Sequence, residues 1–344
     1  METNSNNFSD EEYVSCEYLQ SGLNMHTLNI STCNWFTKGL VFYKFNEPIG
    51  GVSDPQTKNI DFKKIDEMRK ETIESRKIPE NCKGCFNLKK KKWNYTGKIS
   101  NIEIDHWRNC NCGCIYCSNR NHDFCNFLTT EVTKSQFYDV YPILEGIKKY
   151  ERLDNKITIQ TIGGEPAALE EYSKIIQFFI DIENEKLSKT EIGMLTSGIV
   201  YIPEIAKVLE SQDKFLTISL DCGCRETYKK IKQIDAFDVC VSNIEEYIKH
   251  AMFKFQVILK YIFLPNINDN KEEIDKFFET VKKVGCKQVN FSLEFCQSII
   301  YKQGNEIPKN LYGLFDYAQS KAEKAGILYQ VYDVVKDLLK KGHY

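Results

Sequence analysis

The sequence lacks an excess of charge of either sign. Its 46 lysines and arginines nearly balance 48 aspartates and glutamates, and the formal net charge is −2. No global basic field is available to recruit nucleic acid, so we expect no nucleic-acid partner. The short run of four lysines at residues 89–92 is interpreted as a solvated linker, because the chain as a whole is not basic.

Long hydrophobic runs and a secretion signal are also lacking. The apolar segment at residues 255–264 is interrupted by Lys260 and is too short to span a bilayer. Residues 1–12 are polar and acidic, without the apolar centre of a signal peptide. We therefore expect a soluble, cytoplasmic protein with no membrane partner. In that compartment the 14 cysteines favour reduced or metal-bound thiols over a disulfide framework.

Four cysteines are concentrated in one loop, directly after an alternating run at residues 102–105 that predicts a β-strand. Cys110, Cys114 and Cys117 form C-x3-C-x2-C, a spacing that supplies three thiolates to an iron–sulfur cube and leaves its fourth iron without a protein ligand. A structural zinc site would favour four closed ligands, usually two C-x2-C pairs. Closure of the cluster by Cys112 is the alternative, and it would make the protein an electron carrier.

A glycine turn is the second motif. It follows a strand-like run at residues 157–160, and its paired glycines let the backbone approach a ligand closely. This turn and the cysteine loop, in which Tyr116 precedes the last cysteine, together resemble the two motifs of the radical S-adenosylmethionine (SAM) enzymes. The resemblance covers about residues 98–300. The four residues of the turn are Gly163, Gly164, Glu165 and Pro166.

The resemblance implies a specific chemistry. In that family a [4Fe–4S] cluster binds the amino and carboxylate groups of SAM at its open iron, and one electron breaks the sulfonium C–S bond. The resulting 5′-deoxyadenosyl radical takes a hydrogen atom from a substrate, here a small molecule, carbohydrate or peptide, with net oxidation or rearrangement. The electron would come from a donor such as flavodoxin or ferredoxin. The hypothesis from another class is a non-catalytic iron–sulfur or zinc protein for electron transfer or partner binding.

Strands and helices alternate from residue 98 onward. Six βα units predict parallel strands with right-handed crossovers, hence an α/β barrel or an open partial barrel. The resemblance implies the partial (β/α)6 TIM-type barrel, with its chemistry at the carboxyl ends of the strands. The residues expected to bind the cofactor there are Tyr116, Gly163, Gly164, Glu165, Pro166, Thr196, Ser197, Ser219 and Asp221.

Four residues near these strand ends are candidates for catalysis. Asp221 either accepts a substrate hydroxyl or caps the next helix. Cys222 and Cys224 either ligate a further metal, give a hydrogen atom to a product radical, or serve as small buried hydrophobes. Lys260 interrupts an apolar strand, so it binds a carboxylate of SAM or substrate, or points to solvent or a partner.

The N-terminal segment carries a second set of cysteines, Cys16, Cys33, Cys82 and Cys85. Its order of strands, a helix and a C-x2-C knuckle is similar to the twitch- or SPASM-like auxiliary-cluster segments of many radical SAM enzymes. That resemblance implies an auxiliary [4Fe–4S] cluster; zinc and plain buried thiols are the alternatives. The four lysines at residues 89–92 are the hypothetical dock for an acidic electron donor.

The predicted domain organisation has four parts. Residues 1–12 form a disordered tail, 13–97 the small N-terminal α+β subdomain with the auxiliary cluster, and 98–300 the partial barrel. Residues 301–344 are a helical extension that closes the barrel.

Overall fold

A computed structural model describes residues 11–26, 29–33, 39–44, 60–85, 87–107, 109–117, 138–294 and 308–331. The chain divides into two compact units. Unit 1 is Met1–Arg108, Lys134–Gly164 and Gln177–Ile192, and unit 2 is Asn109–Thr133, Glu165–Ile176 and Gly193–Tyr344. Most of the predicted disordered tail and the end of the predicted C-terminal extension lie outside the described residues. No helix within the described ranges is both long and apolar enough to cross a bilayer.

Unit 1 is built on a mixed sheet. Its elements are β1 (Tyr13–Ser15), α1 (Glu17–Ser21), β2 (Gly22–His26), β3 (Asn29–Ser31), β4 (Val41–Lys44), α2 (Phe62–Glu74), β5 (Lys89–Lys91), β6 (Ile99–Asp105), α3 (Tyr141–Lys149) and β7 (Leu153–Thr161). The strand order is β4-β3-β2-β6-β7, in which β2 and β7 run parallel to β6 and the other two pairs are antiparallel.

The register of β2 on β6 explains how unit 1 holds the strand that leads to the cysteine loop. Leu23 pairs with Ile102 and Met25 with Ile104, and all four side chains are fully buried on one face. The alternate residue Asn24 faces Glu103 on the other side and donates its amide to that carboxylate at 3.1 Å. The N-terminal strand β2 thus extends the parallel sheet of β6 and β7.

The lysine run at residues 89–92 differs from the predicted linker. Its first three residues form β5, which pairs antiparallel with β1 and leaves all three lysines exposed. Trp93 next to it donates its indole N–H to the carbonyl of Tyr13 at 3.1 Å, and the ammonium of Lys91 lies 3.9 Å from the Trp93 ring centre. The pairing of β5 with β1 and the contact with the Trp93 ring favour a strand here, although the polar composition of residues 89–92 predicted a linker.

Unit 2 alternates strands and helices. Two elements cross the unit boundary, α4 (Tyr172–Asn184) and β8 (Lys189–Thr196). The others are α5 (Pro203–Leu209), β9 (Lys214–Ser219), α6 (Arg225–Lys232), α7 (Phe237–His250), β10 (Val257–Phe263), α8 (Lys271–Lys283), β11 (Gln288–Leu293), α9 (Lys309–Lys324) and β12 (Leu328–Val331). The strand order is β8-β9-β10-β11-β12, and β9 through β12 pair in parallel.

The α/β fold class with parallel strands is confirmed. Both faces of β10 are covered, since Val257, Leu259 and Tyr261 are fully buried on one face and Ile258 and Ile262 on the other. Such continuous burial is typical of a parallel strand covered by helices on its faces. In unit 2, polar residues follow the carboxyl ends of β8 and β9, the position where the cofactor-binding residues were predicted.

Candidate active site

The cysteine loop, residues 109–117, is fixed to the end of α6. The amide of Gly113 donates to the carbonyl of Lys232 at 2.9 Å, and that of Ile115 donates to the carbonyl of Ile231 at 3.0 Å. Both carbonyls belong to the last turn of a helix, where four acceptors have no partner within the helix. The loop therefore completes the helix terminus, and the helix in turn holds the loop in place.

The four thiols of the loop differ in exposure. Cys110, Cys114 and Cys117 are partly exposed, whereas Cys112 is only 2% exposed. The thiol of Cys112 hydrogen-bonds to Cys110 and Cys114, and this raises its own pKa. The same bond lowers the pKa of Cys110, and it lowers that of Cys114 to about 6, with the positive charge of Lys232 adding to the effect and burial opposing it. The three thiols of the C-x3-C-x2-C pattern are thus the ones that an external group can reach.

The glycine turn lies beside the entrance to this loop. Within unit 1, the amide of Gly164 donates to the carbonyl of Trp107 at 3.0 Å. Within unit 2, the amide of Glu165 donates to the carbonyl of Asn109 at 2.7 Å. Gly163 has a φ of +117°, which side chains other than hydrogen rarely allow. The two motifs predicted to act together are therefore hydrogen-bonded neighbours.

The side chain of Glu165 connects the turn to the end of β8. Its buried carboxylate accepts hydrogen bonds from the hydroxyl of Thr196 at 2.5 Å and from the backbone amide of Ser197 at 2.7 Å. Burial raises the pKa of Glu165, and the hydrogen bonds oppose that shift. The hydroxyl of Ser197 contacts the amide oxygen of Asn111 at 3.3 Å, which extends the network to the residue after Cys110.

A buried ion pair supports the loop from β9. The Oδ2 atom of Asp221 accepts the ammonium of Lys232 at 2.5 Å and the hydroxyl of Tyr116 at 2.6 Å, and its Oδ1 atom accepts the amide of Ile262 at 3.0 Å. Lys232 is 1% exposed and Asp221 is fully buried. Burial lowers the pKa of Lys232, but Asp221, Tyr116 and Cys114 together outweigh it and hold the pKa well above its ordinary value. Lys232 was not among the site residues predicted from the sequence.

The remaining candidates from β9 and β10 fall into two groups. Ser219 and Lys260 pair in register on adjacent strands and are both partly exposed. Cys222 is fully buried, and its thiol donates to the carbonyls of Leu220 and Cys224 at 3.6 Å each. The thiol of Cys224 contacts the hydroxyl of Thr227 at 3.3 Å. These contacts are typical of packed cysteines.

Unit 1 brings three of the N-terminal cysteines together. Cys16 and Cys82 belong to one buried cluster, with Leu40 packed against it. Burial, together with the neighbouring Cys16 and Cys85, raises the pKa of Cys82 to about 11. Cys33 is also buried, in the connection that leads to Leu40. A thiolate in this cluster is unfavourable unless a cation stabilises it.

The sequence profile of the Radical SAM superfamily matches residues 104–281, more than half of the chain. The chain belongs to the radical SAM superfamily. Membership implies SAM and a [4Fe–4S] cluster as cofactors. The cysteine loop fits the cluster, because three reachable thiols stand on one anchored segment and thiolates are the usual ligands of such a cluster.

No three His, Cys, Asp or Glu side chains in the described ranges converge as ligands of one ion would. This is compatible with a radical SAM cluster, because each cysteine of such a loop binds a different iron of the cube and the thiols stand further apart than ligands of a single ion.

Several known proteins are similar to this radical SAM chain. A protein named GTPase Obg from Brachyspira hyodysenteriae is 28% identical over 197 residues, covering 55% of this chain and 27% of that protein. A probable GTP 3′,8-cyclase from Saccharolobus islandicus is 26% identical over 192 residues, 56% of each chain. The chain thus spans between about a quarter and about half the length of these curated relatives.

Among solved structures, SuiB of Streptococcus suis bound to S-adenosylmethionine matches with a TM-score of 0.50 and 10% identity. The match covers 82% of this chain and 57% of SuiB. A second SuiB structure, bound to the precursor peptide SuiA, gives the same TM-score and identity and covers 93% of this chain and 72% of SuiB. At this identity the likeness shows the fold alone.

Proposed function

We propose that this chain cleaves SAM reductively and uses the resulting radical to abstract hydrogen from an organic substrate. Cys110, Cys114 and Cys117 hold the [4Fe–4S] cluster, and the turn at residues 163–166 holds SAM. When bound, the cluster and SAM supply the one-electron chemistry. The contribution of the chain is to place the two cofactors and to exclude competing reactions.

One observation carries the proposal. The amides of Gly164 and Glu165 donate to the carbonyls of Trp107 and Asn109, at the entrance to the cysteine loop. A ligand on the glycine turn would therefore lie close to the three reachable thiols. Because the Glu165 carboxylate is bound to Thr196 and Ser197, we assign it to holding the turn and strand β8, and the turn backbone to binding the cofactor.

Ser219 and Lys260 are proposed to reach the ribose or carboxylate of SAM, or the substrate. Ser219 is the last residue of β9, Lys260 lies beside it in the middle of β10, and both are partly exposed. Asp221, in contrast, is proposed to act through Tyr116 and Lys232, because its two oxygens already accept three hydrogen bonds. The hydrogen-atom donor role of Cys222 is disfavoured by its complete burial.

The substrate is proposed to be a small molecule, a carbohydrate or a peptide. GTP is one compound to test, because the related Saccharolobus protein is named a GTP 3′,8-cyclase. The net reaction is proposed to be an oxidation or a rearrangement. An oxidation would require a second electron acceptor in the protein, and the N-terminal cysteines are the candidate.

We propose that Cys16, Cys33, Cys82 and Cys85 bind an auxiliary [4Fe–4S] cluster, with zinc as the alternative metal. The support is the common cluster of Cys16 and Cys82, with Cys85 near both. An acidic flavodoxin or ferredoxin is the proposed donor, and the exposed lysines of β5 are its proposed docking surface. Charge reversal of Lys89 and Lys90 should then slow reduction by flavodoxin but not by dithionite.

The test is metal analysis of anaerobically purified protein. Wild type should carry about eight irons and eight sulfides per chain if both sites hold cubes. The Cys110→Ala/Cys114→Ala/Cys117→Ala variant should lose about four of each, together with the change in the electron paramagnetic resonance spectrum that SAM addition produces in wild type. An unchanged iron content would contradict the assignment.

The second candidate function is electron transfer by a cluster that Cys112 closes. It is favoured by the contact of the Cys112 thiol with both Cys110 and Cys114. A Cys112→Ser variant distinguishes electron transfer from SAM cleavage. A closed four-cysteine cluster would become labile in this variant, whereas the radical SAM cluster should keep its iron. The burial of Cys112 beside three partly exposed thiols supports the retention of iron by the variant.

A further inference from the structure

Lys232 is almost completely buried, with 1% of its side chain exposed, and among the described residues Lys214 and Arg69 are buried to a similar degree. A buried ammonium is costly unless it is paired and hydrogen-bonded. Here it donates to Asp221 at 2.5 Å and to the hydroxyl of Tyr116 at 2.8 Å. Its cost is thus offset by two partners, one of which belongs to the cysteine loop.

The same residue also holds the loop through its backbone. The carbonyl of Lys232 accepts the amide of Gly113, and the preceding carbonyl of Ile231 accepts the amide of Ile115. Lys232 therefore binds Gly113 through its carbonyl and Tyr116 through its side chain, and the adjacent Ile231 binds Ile115, so that Cys114 is flanked on both sides by anchored residues.

Asp221 fixes the other end of the arrangement. It adopts a φ of +63°, its amide donates to the carbonyl of Lys260 at 3.0 Å, and its Oδ1 atom accepts the amide of Ile262. The amide group of Asn268 donates to the backbone carbonyl of Asp221 at 2.7 Å. The carboxylate is thus tied to β10, a strand in which every residue but Lys260 is buried.

We propose that Lys232 is a positioning residue that ties the cysteine loop to strand β10 through Asp221 and Tyr116. The proposal rests on the assignment of the loop as the cluster site. The proposed effect is confined to the cysteine loop. Tyr116, Asp221 and Lys232 together set how often the segment at residues 110–117 opens, before any cofactor binds. A charge pair that merely stabilises the unit would act on every strand alike.

Hydrogen–deuterium exchange of the full, cluster-free chain tests this. The Lys232→Met/Asp221→Asn variant removes both charges together, so no uncompensated charge remains in the interior. Amides at residues 112–117 should exchange about tenfold faster than in wild type, while β9 and β11 exchange as before. Tyr116→Phe, which removes only the hydroxyl that contacts Asp221 and Lys232, should give a smaller increase in the exchange rate. The control is Lys230→Met, on the exposed side of α6, which should match wild type.

Unchanged exchange at residues 112–117 in the double variant would overturn the proposal. Equal acceleration in β9, β11 and the loop would also overturn it, because the pair would then serve general stability. Formation of 5′-deoxyadenosine by wild type is measured separately. A local exchange effect without SAM cleavage would contradict the proposed function while leaving the positioning role intact.

Discussion

The substitution Glu165→Ala tests the network beneath the glycine turn. It removes a carboxylate that accepts the Thr196 hydroxyl at 2.5 Å and the Ser197 amide at 2.7 Å, and it leaves both donors buried. A hydrogen bond to a charged acceptor is worth about 1.5–3 kcal/mol net, but removal also relieves the cost of burying the carboxylate. We therefore expect the free energy of unfolding to fall by about 3 kcal/mol.

Urea unfolding followed by circular dichroism measures this change. Glu165→Gln should lower the free energy of unfolding by less, because the amide oxygen of glutamine still accepts one of the two hydrogen bonds. The control Glu170→Ala lies on the exposed surface and should change the free energy by at most about 0.5 kcal/mol. A loss below about 1 kcal/mol for Glu165→Ala would refute the account of this carboxylate as the support of turn and strand.

Three further outcomes are expected. In cluster-free protein, the rate of Cys114 alkylation by iodoacetamide should rise with pH and level off above the Cys114 pKa of about 6. Cys112→Ala should move the midpoint of this pH dependence upward, because the hydrogen bond that stabilises the Cys114 thiolate is lost. An unchanged midpoint in the variant would contradict this. Cys82→Ala should remove about four irons per chain without abolishing SAM cleavage, which metal analysis and product assay check together. Ile104→Ala, at a fully buried position of β6, should cost about 2–5 kcal/mol in urea unfolding.

Much of the fold could be predicted from local patterns. The strand-like runs predicted at residues 102–105 and 157–160 lie within β6 and β7. These signals are short-range, so a single sequence carries them.

Long-range features were not predictable in the same way. The parallel pairing of β2 with β6 joins segments far apart in the chain, and no residue of β2 indicates its partner. The bounds of helix α6 were not predicted, because its eight residues, Arg225–Lys232, contain few apolar side chains and no complete stripe. Lys232 was missed with it, since lysine at a helix end usually indicates a solvated charge. The only available signal was the carboxylate of Asp221, 11 residues earlier.

The candidate site was predicted better as motifs than as roles. The adjacency of the cysteine loop and the glycine turn follows from their positions after neighbouring strands. The roles of Glu165 and Asp221 could not be predicted from the sequence, because the sequence does not distinguish a carboxylate that binds a ligand from one that binds a neighbouring side chain. The assignments of the individual cofactor-binding residues stay predictions.

The central claim is that Cys110, Cys114 and Cys117 hold a cluster whose open iron binds SAM. Chromatographic measurement of 5′-deoxyadenosine, after anaerobic incubation of the reconstituted protein with SAM and dithionite, tests it most directly. Wild type should form the product, and the variant with alanine at all three positions should form none. Absence of product from wild type with a full complement of iron, or equal product from the variant, would contradict the claim.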